Sequence, residues 1–171
     1  FGAEYRGTRI GSCHYSDATI FSFHPVKHLT TGEGGCVSSN NSDLKKKLDQ
    51  LREHGLLRKS DDGAIWDPWV YEMRELGWNY RISDVQCALG LSQLAKQPRW
   101  ITRRRELATR YDQQLREKMG DVVAPQAVRS DRVGSFHLFP VLFDFDAYGL
   151  SRAELMLSLR EEGIHTQVHY I

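Results

Sequence analysis

The order of apolar and polar positions predicts short strands separated by helices. Ala18-Thr19-Ile20-Phe21-Ser22-Phe23 is a β-prone, largely apolar run, the pattern of a strand buried on both faces. Gly35-Cys36-Val37-Ser38-Ser39 predicts a second strand, closed by Asn40-Asn41. Ser42 suits the cap of a helix in which Leu44, Leu48 and Leu51 form one stripe among charged neighbours, and Gly55 stops it. A strand, a loop, a strand and a helix in that order describe an α/β layer that gathers ligands at its loop ends.

Beyond Gly55 the pattern changes. Residues 56–80 show no clear period and are rich in Trp66, Trp69, Tyr71, Met73 and Trp78. Long loops in compact domains serve binding or are disordered, and this density of aromatics argues against disorder. Two readings remain: a lid or dimer arm over a substrate, or a loop that its aromatics tie to the core. Ser83 with Gln86 then forms a capping-box pattern, opening a helix with Ile82, Val85, Ala88, Leu89, Leu91 and Leu94. Apolar residues on nearly all sides predict burial between layers or between subunits. Pro98 suits the first turn of another helix, carried by Trp100, Leu107, Tyr111 and Leu115 and ended by Gly120. Residues 137–143 read as a strand with Pro140 at an edge or bulge. Ser151 and Glu154 form another capping box, Gly163 closes that helix, and residues 164–171 alternate as a final strand.

Composition narrows the function by exclusion. Lys and Arg number 23 against 22 Asp and Glu, so no electrostatic footprint for nucleic acid or an anionic membrane is present. Arg103-Arg104-Arg105 is the densest basic cluster, and on a helix its members point in different directions. No apolar stretch approaches the roughly 20 residues of a membrane span, and no signal peptide is visible. Cys13, Cys36 and Cys87 are odd in number, widely spaced and without CxxC, as expected of reduced thiols in a cytoplasmic protein. The first residue is Phe rather than Met, and the sequence reads as an internal piece of a longer enzyme.

The candidate chemistry lies between the first two strands. Ser22-Phe23-His24-Pro25-Val26-Lys27 delivers a hydroxyl and then a lysine, and Thr30-Thr31-Gly32-Glu33-Gly34-Gly35 supplies a glycine-rich turn. That order suits a phosphate-bearing aldehyde held by an imine, since the phosphate needs hydroxyl and N–H donors and the lysine a depressed pKa. The plain alternative is a strand, an exposed lysine and a turn. Glu33 is placed either to orient Lys27 or to bond backbone amides. His24 and His28 flank Lys27, whereas His165 and His169 share one face of the last predicted strand with Gln167. Two histidines four apart could bind a metal, but no third ligand follows at suitable spacing, so no metal is expected.

These residues carry a resemblance. The Ser22–Gly35 run resembles the lysine segment of the DegT/DnrJ/StrS family of sugar aminotransferases, which use pyridoxal 5′-phosphate (PLP). Gly77-Trp78-Asn79-Tyr80-Arg81-Ile82-Ser83-Asp84 resembles the same family's Asn-Tyr-Arg-x-Ser block, and the likeness runs along the whole chain. It implies the α/β, aspartate aminotransferase-like fold type I of PLP-dependent transferases. Residues 1–97 would be the second half of the PLP-binding large domain. Residues 98–171 would be a linking helix and the start of a small α+β C-terminal domain.

The resemblance also assigns roles. Lys27 would bind the cofactor and later move a proton at the substrate carbon. Ser22 would hold its phosphate, and Asn79 would reach the same phosphate from the partner subunit of a homodimer with shared active sites. Asn79, Gln167, His169 and Tyr170 would touch the nucleotide-sugar. Arg81 would contact a carboxylate of the donor or substrate, or form a structural salt bridge, the second being preferred. The family's cofactor-pairing aspartate falls immediately before Phe1.

The aromatic segment Asp67–Met73, the block Asp84–Leu94 and the end Gly163–Tyr170 resemble the branch acting toward pseudaminic acid. That branch aminates C4 of a UDP-linked 4-keto-6-deoxy-N-acetylhexosamine, with L-glutamate the expected donor. Two rival readings are a PLP-dependent keto-sugar dehydratase, against which Lys27 argues because such relatives carry histidine there, and an inactive fragment that only dimerises.

Overall fold

The computed structural model describes residues 1–58, 64 and 67–169. Trp66 of the aromatic segment and Tyr170 of the substrate set lie outside the described residues. The chain divides into two compact units, Phe1–Gln97 and Pro98–Ile171.

The first unit opens with a hairpin of β1 (Glu4–Tyr5) and β2 (Thr8–Arg9). Two further strands, β3 (Thr19–Ser22) and β4 (Gly35–Ser38), pair antiparallel with Ile20 opposite Val37 and Ser22 opposite Gly35. The first was legible from its β-branched and aromatic content, the second from a short run closed by Asn40-Asn41. The expectation of burial on both faces fails for β3, because Ile20 is 81% exposed. Among the described residues β3 pairs with β4 alone.

Helix α1 (Ser42–Leu51) follows, capped by Asn41 rather than Ser42. The Asn41 carboxamide oxygen accepts from the amides of Asp43 and Leu44, at 2.9 and 3.0 Å. Asparagine is as good a cap as serine, and the first extended backbone position falls one residue earlier than the spacing indicates. After α1 the chain turns through Gly55 (φ 70°). A side chain at Gly55 would meet the Glu75 carbonyl, and one at Gly77 would meet the Gly55 nitrogen, so both glycines permit two backbones to cross closely.

The segment without a period nonetheless begins and ends in pairing. Strand β5 (Leu56–Leu57) lies antiparallel to β6 (Glu72–Met73), a ladder too short to leave an alternating signature. Trp69 and Tyr71 are exposed, and Trp78 stacks on Tyr80 with ring centroids 5.7 Å apart.

Helix α2 (Asp84–Met119) is continuous through Pro98, where two helices were expected. A proline removes one amide from the ladder, but the strong helix formers around it, from Leu94 to Gln97 and from Arg99 onward, carry the helix across. Ser83 and Gln86 cap it reciprocally, with Ser83 N–H donating to Gln86 Oε1 at 3.0 Å and Gln86 N–H donating to Ser83 Oγ at 3.3 Å. The deep burial expected of its apolar side chains is not found in this chain: Val85, Leu89, Leu91 and Leu94 are exposed.

In the second unit, Ile101 and Ala108 of α2 and Val123 form a small core. A 3-10 turn at Gly120–Val122 leads into β7 (Val123–Pro125), and a brief extended stretch, β8 (Arg132–Val133), follows. Strand β9 (Val141–Phe143) pairs antiparallel with β7 and starts only after Pro140, which cannot donate to a ladder. Arg104 and Arg105 donate to the carbonyls of Phe136 and Gly134, each at 3.0 Å, tying down a turn in which Phe136 has φ 51°. A short helix, α3 (Phe145–Tyr148), precedes α4 (Arg152–Glu161), whose Ser151/Glu154 capping box is fully formed. The strand expected over residues 164–171 is absent from its described part: residues 164–168 are irregular and exposed, and no neighbouring strand supplies a ladder. Among the described residues no helix is long and apolar enough to cross a membrane.

The α4 cap yields a direct prediction. Hydrogen bonds from the Ser151 hydroxyl and amide hold the Glu154 carboxyl below its ordinary value. Because the folded form favours the ionised acid, this contribution is complete above the ordinary glutamate range and is lost as pH falls through the lowered value. Carboxyl titration by NMR should give Glu154 a midpoint below the ordinary glutamate value, and Ser151→Ala should move it upward.

Candidate active site

The connection from β3 to β4 carries the candidate residues, and its backbone is closely tied. Phe23 N–H donates to Gly34 O at 2.9 Å, extending the ladder by one bond past Ser22 and Gly35. Thr31 N–H and the Thr30 hydroxyl both donate to Phe23 O at 3.0 Å. The Thr31 hydroxyl donates to Glu33 O at 2.6 Å, with Thr31 only 3% exposed and Leu29 beside it equally buried. Glycine is required at two places. At Gly34 (φ 148°) a Cβ would lie 2.5 Å from Thr31 Oγ1, and at Gly35 it would lie 2.7 Å from the Phe21 carbonyl oxygen.

Two local backbone bonds lie between Ser22 and Lys27. His24 N–H donates to Ser22 Oγ at 3.4 Å, and Lys27 N–H donates to His24 O at 2.9 Å, closing a turn. Ser22 is exposed and Lys27 half-buried, which leaves the hydroxyl open to solvent and the lysine partly sheltered. Across the loop, His24 Nε2 lies 3.8 Å from Glu33 Oε1. The Glu33 side chain therefore faces His24, and its carbonyl, not its amide, forms the loop bonds. On β4, Cys36 is exposed, and partial desolvation moves its thiol up from the ordinary value.

The other candidates belong to other segments of the chain. Asn79 belongs to the same unit, where it is exposed and forms an isolated antiparallel bridge with Glu53 at the end of α1. Arg81 Nη1 lies 2.9 Å from Glu53 Oε1, the salt bridge preferred from sequence, although the arginine is half-exposed rather than buried. Gln167 and His169 belong to the second unit and are exposed on irregular backbone. Among the described residues no cluster of three or more His, Cys, Asp or Glu could hold a metal ion.

Sequence reasoning missed the residues that hold the loop. Thr31 passed as part of a motif and Gln86 as a helix cap only, and Gln97 carried no reading at all. Only Gln97 leaves a signal, a polar residue one turn beyond Leu94 that turns out 6% exposed.

The model of the DegT/DnrJ/EryC1/StrS aminotransferase family matches residues 1–171. The chain belongs to that family. It is 41% identical over 169 residues to the UDP-4-amino-4,6-dideoxy-N-acetyl-beta-L-altrosamine transaminase of Campylobacter jejuni strain 81-176, covering 99% of this chain and 42% of that protein. The Helicobacter pylori transaminase of the same name is 35% identical, with 99% of this chain and 42% of that protein covered. Among solved structures, Helicobacter pylori PseC, an aminotransferase of pseudaminic acid biosynthesis, superposes with a TM-score of 0.83 at 35% identity, over 99% of this chain and 43% of that one. The PLP form of the sugar aminotransferase Spr1654 from Streptococcus pneumoniae gives 0.80 at 27% identity, over 99% and 41%. The fold is thus that of the PLP-dependent sugar aminotransferases, and the chain spans about 42% of the curated relatives it matches.

The crowding at Gly34 predicts a graded response. Gly34→Ala should destabilise the protein by about 1–3 kcal/mol, as expected for an enforced left-handed residue with a steric clash. Gly32→Ala, at φ 80° but facing open space, should cost less. Denaturant melts of both variants would rank them.

Proposed function

We propose that this chain is the lysine-bearing part of a PLP-dependent nucleotide-sugar aminotransferase. The observation that carries the reading is Lys27 set in a glycine-gated loop whose backbone is bonded to Ser22. The substrate class is supported by the relatives' names: an amino group would pass to C4 of a UDP-linked 4-keto-6-deoxy-N-acetylhexosamine, toward pseudaminic acid or a related surface sugar, with L-glutamate the donor that the family resemblance implies. Residues 1–97 would belong to the large domain and 98–171 to the linking helix and small domain. A cytoplasmic enzyme fits this chemistry.

The residues present fit the cofactor. Its two anchoring demands are an amine and phosphate donors, and Lys27 and Ser22 offer them from one loop. Ser22 Oγ would donate to the phosphate, and its exposure leaves that side open. Lys27 Nζ would bind the cofactor covalently and, when freed, would hold and move a proton beside the reacting carbon of the substrate. Asn79, exposed in its own chain, would donate its side-chain amide to the phosphate from a partner copy, making a homodimer part of the site. Gln167, His169 and Tyr170 would bind the sugar nucleotide. When bound, PLP supplies a carbonyl that accepts the amino group and a ring that withdraws electrons.

Borohydride reduction in the presence of PLP, followed by peptide mapping, tests this reading. Lys27 should be labelled in preference to Lys45, Lys46 and Lys47, and Ser22→Ala should weaken PLP affinity by roughly tenfold, the loss of one hydrogen bond to a charged group. Labelling spread evenly over the lysines would overturn it.

A further inference from the structure

One side of α2 grips the lysine loop at both shoulders. Gln86 Nε2 donates to the Glu33 carbonyl at 2.9 Å, and Gln97 Nε2 donates to the His28 carbonyl at 3.2 Å. Between them Gly90 permits close approach, since a Cβ there would lie 2.9 Å from the Thr31 methyl. At 3.6 residues per turn, positions 86, 90 and 97 fall within about 40° of one another, so a single helix face makes all three contacts. His28 directly follows Lys27, and Glu33 lies on the far side of the turn.

The two amides differ in how they are committed. Gln86 Oε1 is already taken by the Ser83 amide and hydroxyl, each at 3.0 Å, so the same side chain caps the helix with oxygen and holds the loop with nitrogen. Gln97 is 6% exposed, and an amide buried that deeply is retained at a cost unless it is bonded. Capping and packing alone do not account for their nitrogens.

We propose that Gln86 and Gln97 are positioning residues for Lys27, fixing both shoulders of its loop on one face of α2 so that the amine is presented in a set place. The inference rests on Lys27 being the cofactor-binding lysine. The amides act only through backbone carbonyls. Two substitutions separate this role from general stability. Gln86→Glu keeps an acceptor for the helix cap but replaces the N–H donor with a carboxylate facing the Glu33 carbonyl. Gln97→Met keeps the volume without the donor.

Both variants would be made in the protein that carries this chain and compared at a temperature where circular dichroism shows each folded. Competitive acetylation with acetic anhydride, read by mass spectrometry, gives the reactivity of Lys27 relative to Lys46, whose side chain is 78% exposed. Each substitution should raise that ratio roughly fivefold, the change in local opening that one lost hydrogen bond produces. The rate of PLP capture at Lys27 should fall by a similar factor, including in Gln86→Glu, where a cap-only role would leave it unchanged. An unchanged acetylation ratio in both variants overturns the inference, as does a raised ratio with an unchanged capture rate. If the unsubstituted protein captures no PLP, the aminotransferase reading fails, and the acetylation ratio still decides whether these amides hold the lysine.

Discussion

The lysine loop is governed by the need to satisfy carbonyls that the strand ladder leaves unpaired. A connection between two paired strands leaves backbone acceptors that the ladder cannot reach, and an unmet buried carbonyl is costly. Here Phe23 O takes the Thr31 amide and the Thr30 hydroxyl, Glu33 O takes the Thr31 hydroxyl and the Gln86 amide, and His28 O takes the Gln97 amide. Two of those donors come from α2, more than fifty residues later in the chain. The shape of the loop is therefore a tertiary property, although its residues are contiguous.

Glycine follows from the same constraint. Thr31 must sit deep to donate to Glu33, which leaves no space for a side chain at Gly34 and little at Gly90. The motif's glycines thus serve threonine packing as much as ligand access. Phe23 N–H bonded to Gly34 O and Lys27 N–H to His24 O restrict the backbone of the loop on either side of the lysine.

The apolar surface points outward from this chain. Ile20, Leu76, Val85 and Leu91 are all more than two-thirds exposed, while the first unit's described core is built around Leu29, Thr31 and Gln97. That agrees with a chain spanning about 42% of its relatives' length.

Helices α1 and α4, the start of α2, and the β3–β4 pair were legible because each leaves a local mark: the stripe of Leu44, Leu48 and Leu51, the β-prone Thr19–Ser22, the boxes Ser83/Gln86 and Ser151/Glu154. The family was legible from two contiguous motifs. Other features were decided only in three dimensions. Pro98 lies inside one helix because its neighbours sustain the ladder, a balance no local rule sets. Residues 164–168 alternate but form no strand, since a strand exists only where a partner's amides and carbonyls face it. Gln97 became an anchor for the lysine loop because folding brought its amide to the His28 carbonyl. Local sequence determines which backbone shapes are available. Tertiary structure decides which polar groups meet, because hydrogen-bond partners distant in sequence are chosen by packing.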